Sequence, residues 1–97
     1  MIKKKPYKTT VRVIFELPSK AADEAAAVVG DFNGWSADAG EMDYIKTRDV
    51  WKKAVSFKPG DRVEFRYLLD GETWKNEEEA DNQVDNEYFE QNSVLEL

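Results

Sequence analysis

The sequence predicts an all-β protein, a two-sheet sandwich of about seven or eight short antiparallel strands. Apolar and polar residues alternate through residues 11–17 and again through residues 63–69, as they do in strands buried on one face. Turn-forming residues separate the candidate strands at intervals of about eight to twelve residues. The 97 residues suit one domain, which we expect at residues 10–97, after a flexible segment at residues 1–9.

The segment after the first strand is ambiguous. Pro18 ends that strand because it cannot continue a strand ladder. The composition of residues 19–27 favours a short capped helix, but an isolated helix of this length is marginal in water. We therefore expect a loop at residues 19–24 and a strand at residues 25–30.

The middle of the chain alternates turns with strands. A turn-rich connection is expected at residues 31–40, then a short strand at residues 42–46. Residues 51, 53, 55 and 57 share one face of the next strand, and Lys53 interrupts its apolar character, which indicates a position near a sheet edge. A turn at residues 58–61 leads to the strand at residues 63–69.

The last third of the chain is less regular. The Asp-Gly pair at residues 70–71 predicts a hairpin whose return strand is residues 73–75. Residues 76–91 are polar and acidic and are expected to form a loop. Residues 93–97 are expected to form the final strand.

Two of the three tryptophans follow turns. Trp35 closes the segment Gly-Asp-Phe-Asn-Gly-Trp, and Trp74 follows the Asp-Gly turn. Indoles at strand ends are poor candidates for a core and good candidates for flat surfaces on which a sugar ring stacks. Trp51, in contrast, lies on an apolar strand face and is expected in the core.

The composition argues against several classes of protein. The net charge is −6 and the cations are dispersed, which argues against nucleic acid as a partner. The chain has no cysteine and no histidine, so it lacks a disulfide framework, the usual general base and the commonest metal ligand. It shows no secretory signal and no apolar run of membrane-spanning length, so we expect a cytoplasmic protein that needs no membrane and no cofactor.

Four segments, in order, resemble one family: residues 29–35, 65–71, 80–81 and 92–95. The family is carbohydrate-binding module family 48, the isoamylase N-terminal domain, which also occurs as the glycogen-binding domain of AMP-activated kinase β subunits. The similarity covers residues 10–97, and the chain looks like the short bacterial stand-alone form without a catalytic barrel.

The resemblance implies an immunoglobulin-like, early-set β-sandwich that binds α-1,4-linked glucan. In glycogen-binding members two tryptophans flank the sugar chain, while a basic residue and an asparagine bond its hydroxyls. Carried over to this sequence, these are Trp35, Trp74, Arg66 and Asn92.

The chain departs from the kinase-type modules beside the asparagine. Tyr88 and Glu90 stand where those modules have an apolar residue and a threonine, and the Asp-Gly turn has one residue more before its tryptophan. Tyr88 and Phe89 are candidates to extend the sugar-binding surface, with one of the two expected to pack inward.

Each candidate also has a purely structural interpretation. Trp35 could anchor its loop, and Trp74 could pack over its hairpin. Arg66 could pair with Glu64 or another carboxylate, and Asn92 could bond its own backbone in a turn.

The acidic loop suggests neither a metal site nor an active site. Its carboxylates do not follow the spacing of a calcium loop, and we expect them to be solvated. Glycoside hydrolysis needs two carboxylates on opposite sides of a bond in a cleft, which so small a sandwich does not favour.

We therefore predict a non-catalytic module for glycogen, starch-like glucan or maltooligosaccharide, with a glycogen-metabolising enzyme as a further candidate partner. The alternative is a protein–protein interaction module of early-set fold whose sugar site has decayed, using exposed strand edges and the acidic loop.

Overall fold

The computed structural model describes residues 1–88 and 90–97. Within them it contains nine strands and two short 3₁₀ turns, at Ser19–Ala21 and Asp31–Asn33. The strands are β1 (Ile2–Pro6), β2 (Val11–Pro18), β3 (Ala26–Gly30), β4 (Asp43–Ile45), β5 (Val50–Phe57), β6 (Arg62–Leu69), β7 (Thr73–Lys75), β8 (Asn82–Asp85) and β9 (Gln91–Glu96). No helix in these residues is long and apolar enough to cross a membrane.

The strands form two antiparallel sheets. One sheet has the order β1-β2-β5-β4, and the other has the order β3-β6-β9-β8. Strand β6 pairs with β3 along one edge, and along the other it pairs with β9 through residues 62–65 and with β7 through residues 67–69. This architecture confirms the all-β prediction, with two strands more than the seven that were assigned to particular residues.

The core lies between the sheets and is built around three aromatic rings. Phe15 of β2 meets Phe65 of β6 edge to face, with ring centroids 5.2 Å apart, and Tyr67 packs against both rings. All three are fully buried. Trp51 is also buried, as expected, and Lys53 lies just past the end of the pairing between β4 and β5, near the sheet edge.

Residues 1–9 do not behave as the flexible segment that was expected, because Ile2–Pro6 form the edge strand β1. Ile2 packs against the core, and the strand pairs with β2 over its whole length. The ammonium of Lys4 reaches the other sheet, where it contacts the Asp81 carboxylate and the Glu96 carbonyl oxygen. The sequence did not predict β1 because pairing between backbones does not require an apolar pattern.

The acidic segment at residues 76–91 is not a continuous loop. Asn82–Asp85 form strand β8, which pairs with β9 at the sheet edge. Glu77 is buried, whereas the loop carboxylates were expected to be solvated. Its carboxylate accepts hydrogen bonds from the Tyr67 hydroxyl at 2.8 Å and the Glu79 N–H at 2.8 Å, and it also contacts the Met1 amino group.

Candidate functional site

A cavity of about 580 Å³ lies on the outer face of the five-stranded sheet. Arg66 faces it because neighbouring residues of β6 alternate between the core and the outside. The volume of the cavity falls in the range of small-ligand sites, about 300–1,000 Å³. The described residues that line it are Trp35, Arg66, Trp74, Asn86, Glu87, Tyr88 and Asn92.

Trp35 is held at the cavity by the tight turn after β3. The Asn33 side chain accepts a hydrogen bond from the Gly30 N–H at 3.1 Å and donates one to the Val28 carbonyl oxygen at 3.0 Å. Gly34 and Trp35 both have positive φ, at 67° and 58°. This conformation is uncommon for a bulky residue, and it turns the indole out of the sheet. Its exposed fraction is 41%.

Trp74 is placed by the hairpin between β6 and β7. Asp70 and Gly71 have positive φ, and Trp74 pairs with Leu68 in β6. Its exposed fraction is 42%, almost equal to that of Trp35. Neither tryptophan is therefore a core residue, and the two line one cavity.

Asp70 does more than form the hairpin turn. Its carboxylate accepts hydrogen bonds from three successive backbone N–H groups, those of Asp23, Glu24 and Ala25, at 3.0, 2.6 and 3.1 Å. These donors hold the pKa of Asp70 below its ordinary value. The hairpin that carries Trp74 is thereby tied to the loop before β3, a contact that sequence reasoning did not identify.

Arg66 lies against Trp74 and is largely covered. Its guanidinium carbon is 4.6 Å from the centroid of the indole, a cation–π geometry, so it occupies one face of that ring. Nη1 donates to the Glu90 carboxylate at 3.2 Å, and only 11% of the side chain is exposed. The carboxylate partner is Glu90, while Glu64 pairs with Arg62.

Asn92 lies within β9 and is buried at the floor of the cavity. Its Nδ2 donates to Glu64 Oε1 at 3.3 Å, and its Oδ1 accepts from Asn86 Nδ2 at 3.1 Å. Hydrogen bonds from Arg62 and then Asn92 lower the pKa of Glu64. Asn92 therefore bonds other side chains and is not a turn residue bonding its own backbone.

The loop between β8 and β9 forms the third wall. Asn86 Oδ1 accepts from the Tyr88 N–H at 2.9 Å and from the Glu90 N–H at 3.2 Å, which organises the loop around one amide. Tyr88 is strongly exposed and lines the cavity. Phe89, the other aromatic candidate, lies outside the described residues.

The five residues singled out in the sequence all line this cavity: Trp35, Arg66, Trp74, Tyr88 and Asn92. Sequence reasoning did not identify Asn86 or Glu87 as lining residues. Among the described residues no group of three or more potential ligands is arranged to hold a metal ion. Two exposed indoles beside amide and guanidinium groups can accommodate a ligand with an apolar C–H face and a hydroxylated rim.

Residues 5–85 match the model of the family carbohydrate-binding module 48 (isoamylase N-terminal domain). This match covers most of the chain, and the immunoglobulin-like early-set fold of that family agrees with the two sheets described above. No curated protein matches the chain.

Proposed function

Because the chain belongs to the carbohydrate-binding module 48 family, we propose that it binds α-1,4-glucan in the cavity between Trp35 and Trp74. Members of this family bind carbohydrate. Glycogen, starch-like polysaccharide and maltooligosaccharide all present the required surface. Each glucose ring has a face of C–H groups that can lie on an indole, surrounded by hydroxyls for polar side chains.

The observation that carries the proposal is the shared exposure of the two indoles on one cavity. Each side chain is about two-fifths exposed, although an indole is large and apolar and is usually mostly buried in a folded protein. Hydrogen bonds position both indoles, since one follows a bonded turn and the other a hairpin whose Asp70 is bonded to the loop before β3. A preformed surface loses little conformational entropy on binding.

We propose that binding is not followed by catalysis. Glu87 lines the cavity and Glu90 lies beside Arg66, and both belong to the one loop between β8 and β9. Glycoside hydrolysis requires two carboxylates on opposite sides of the scissile bond. The affinity is expected to be micromolar to millimolar, since a shallow site offers few anchoring contacts. A glycogen-metabolising enzyme as partner and a cytoplasmic location stay predictions from the sequence.

The test is a titration of the protein with maltoheptaose, followed by amide NMR shifts and tryptophan fluorescence. We expect shifts centred on Trp35, Trp74 and Arg66. Replacing either tryptophan with alanine should weaken binding about tenfold, because a ring covering about 60 Å² of apolar surface contributes about 1.5 kcal/mol.

The matched control is Tyr7→Ala, which removes an exposed aromatic ring from the turn that follows β1, away from the cavity. It should bind maltoheptaose as the wild type does. No shifts at millimolar sugar, or shifts confined to residues outside the cavity, would contradict the proposal.

The alternative, a protein-interaction module, makes a different prediction. A protein partner that uses another surface would be retained in pull-down when maltodextrin is added. The exposure of both tryptophans beside Arg66 favours glucan binding over the alternative, because two large apolar rings exposed on one cavity are typical of a binding site.

A further inference from the structure

The positive charge of the cavity is already engaged by the protein. Arg66 is the one cation among the described lining residues. Its guanidinium lies over Trp74 and donates to Glu90, and most of its surface is covered. Little of this charge is therefore available to attract an anionic ligand.

The rim of the cavity carries an excess of negative charge. Glu87 lines the cavity, is exposed, and forms no ion pair with any other described residue. The Glu90 carboxylate, 57% exposed, adds a second negative charge beside Arg66. One cation and two carboxylates leave these three side chains with a net charge of −1.

We propose that this arrangement makes the site selective for uncharged glucan and disfavours saccharides that carry phosphate or carboxylate groups. The inference rests on the proposed function, since it concerns the choice of ligand at the same cavity. A charged ligand that approaches Arg66 meets the Glu90 carboxylate, which is already bonded to Nη1 of the same guanidinium. A neutral hydroxyl can approach without meeting this repulsion.

The expected discrimination is moderate because the rim is in water. A sugar phosphate carries about −1.5 to −2 charges, and like charges about 7 Å apart in water repel only weakly. We therefore expect a phosphorylated ligand to bind about three- to tenfold more weakly than its neutral counterpart.

The experiment compares maltoheptaose with a maltoheptaose that bears one phosphate on a glucose 6-hydroxyl, each titrated into the full chain and followed by NMR. The measured quantity is the ratio of the two dissociation constants. It should exceed three at about 0.02 M salt and fall toward one at about 0.3 M salt, as the Debye length shortens from roughly 20 Å to roughly 6 Å.

Variants of the rim identify the source of this ratio. Glu87→Gln should bring the ratio to about one, because it leaves Arg66 and Glu90 with no net charge, and Glu87→Lys should reverse the preference. Glu24→Gln removes an exposed carboxylate that does not line the cavity, so it should keep the wild-type ratio. Thermal melting of each variant checks that the fold is retained.

Two results would overturn the inference and can be told apart. If the wild type binds both ligands equally, or if the ratio is unchanged in the rim variants, the proposed selectivity is wrong while glucan binding stands. If neither ligand binds, the proposed function fails and the selectivity fails with it.

Discussion

Glu77 offers a test of how the scaffold under the site is stabilised. Its carboxylate is 4% exposed and accepts hydrogen bonds from the Tyr67 hydroxyl and the Glu79 N–H. Its own N–H donates to Ser93 Oγ at 2.9 Å, next to Asn92 in β9. We predict that Glu77→Gln lowers the stability of the fold although the side chain keeps its size.

The size of the destabilisation follows from the hydrogen bonds that are lost. A hydrogen bond to a charged acceptor contributes about 1.5–3 kcal/mol. In the glutamine variant, an NH₂ group replaces one carboxylate oxygen and faces a group that is itself a donor. The variant no longer buries a charge, which offsets part of this loss, so the free energy of unfolding should fall by about 2 kcal/mol. For a domain of about 100 residues this corresponds to a fall in Tm of about 8–16 °C.

The effect should depend on pH. Burial alone would raise the pKa of Glu77, but hydrogen bonds from the Met1 amino group, the Glu79 N–H and the Tyr67 hydroxyl outweigh it and hold the pKa below its ordinary value. A lowered folded-state pKa gives stability that is complete above the unfolded-state pKa, about 4.3, and is lost as the pH falls through the folded-state value. The difference in Tm between wild type and variant should therefore shrink as the pH falls below the unfolded-state pKa.

The assay is thermal unfolding by circular dichroism at neutral and acidic pH. Glu78→Gln is the control, because it removes a neighbouring carboxylate that is exposed. Equal Tm values for Glu77→Gln and Glu78→Gln at neutral pH would refute the role of the buried carboxylate. A gap of the same size in acid would refute its assignment to the charged form.

Three further predictions concern the site. Gly30→Ala would place its Cβ against the Glu64 carbonyl oxygen, so the turn that holds Trp35 must shift; Tm and maltoheptaose affinity should both fall, and unchanged values would contradict this. Arg66→Lys replaces a planar group by a point charge that cannot lie flat on Trp74; we expect about threefold weaker maltoheptaose binding in NMR titrations, and full wild-type affinity would argue against a role for the guanidinium. Asp70→Ala releases three N–H groups; faster amide hydrogen exchange in the loop before β3 should follow, and unchanged exchange would show that the carboxylate does not hold the loop.

The strands that the sequence revealed are those buried on one face. In β6, residues at alternate positions enter the core, so burial leaves an apolar period of two. Strands β1 and β8 leave no such pattern, since they lie at sheet edges and most of their side chains are in water or half-buried. Their pairing depends on backbone hydrogen bonds, for which every residue type carries a donor and an acceptor except proline, which has only the acceptor.

Part of the site could be predicted from local sequence and from the resemblance to the family. Trp35 and Trp74 follow turns, and the resemblance to the family indicated Arg66 and Asn92. The positions of Glu87 on the cavity and of Glu90 beside Arg66 were not predictable, because the chain places both residues there only on its return from β8 to β9. Asn86 is itself the local sequence signal of the turn before Tyr88, because asparagine side chains often accept a hydrogen bond from the backbone two residues later.

The composition of β1 affects how this molecule meets copies of itself. Its outer edge leaves backbone groups unpaired, and such an edge can recruit the same edge of a second molecule into a continuous sheet. Lys3 and Lys5 lie on the opposite face of β1 from Lys4, which is paired with Asp81, and in antiparallel self-pairing they would meet the lysines of the other copy a few ångströms away. Coulomb repulsion therefore discourages edge-to-edge self-association, and acetylation of these amines should remove that protection.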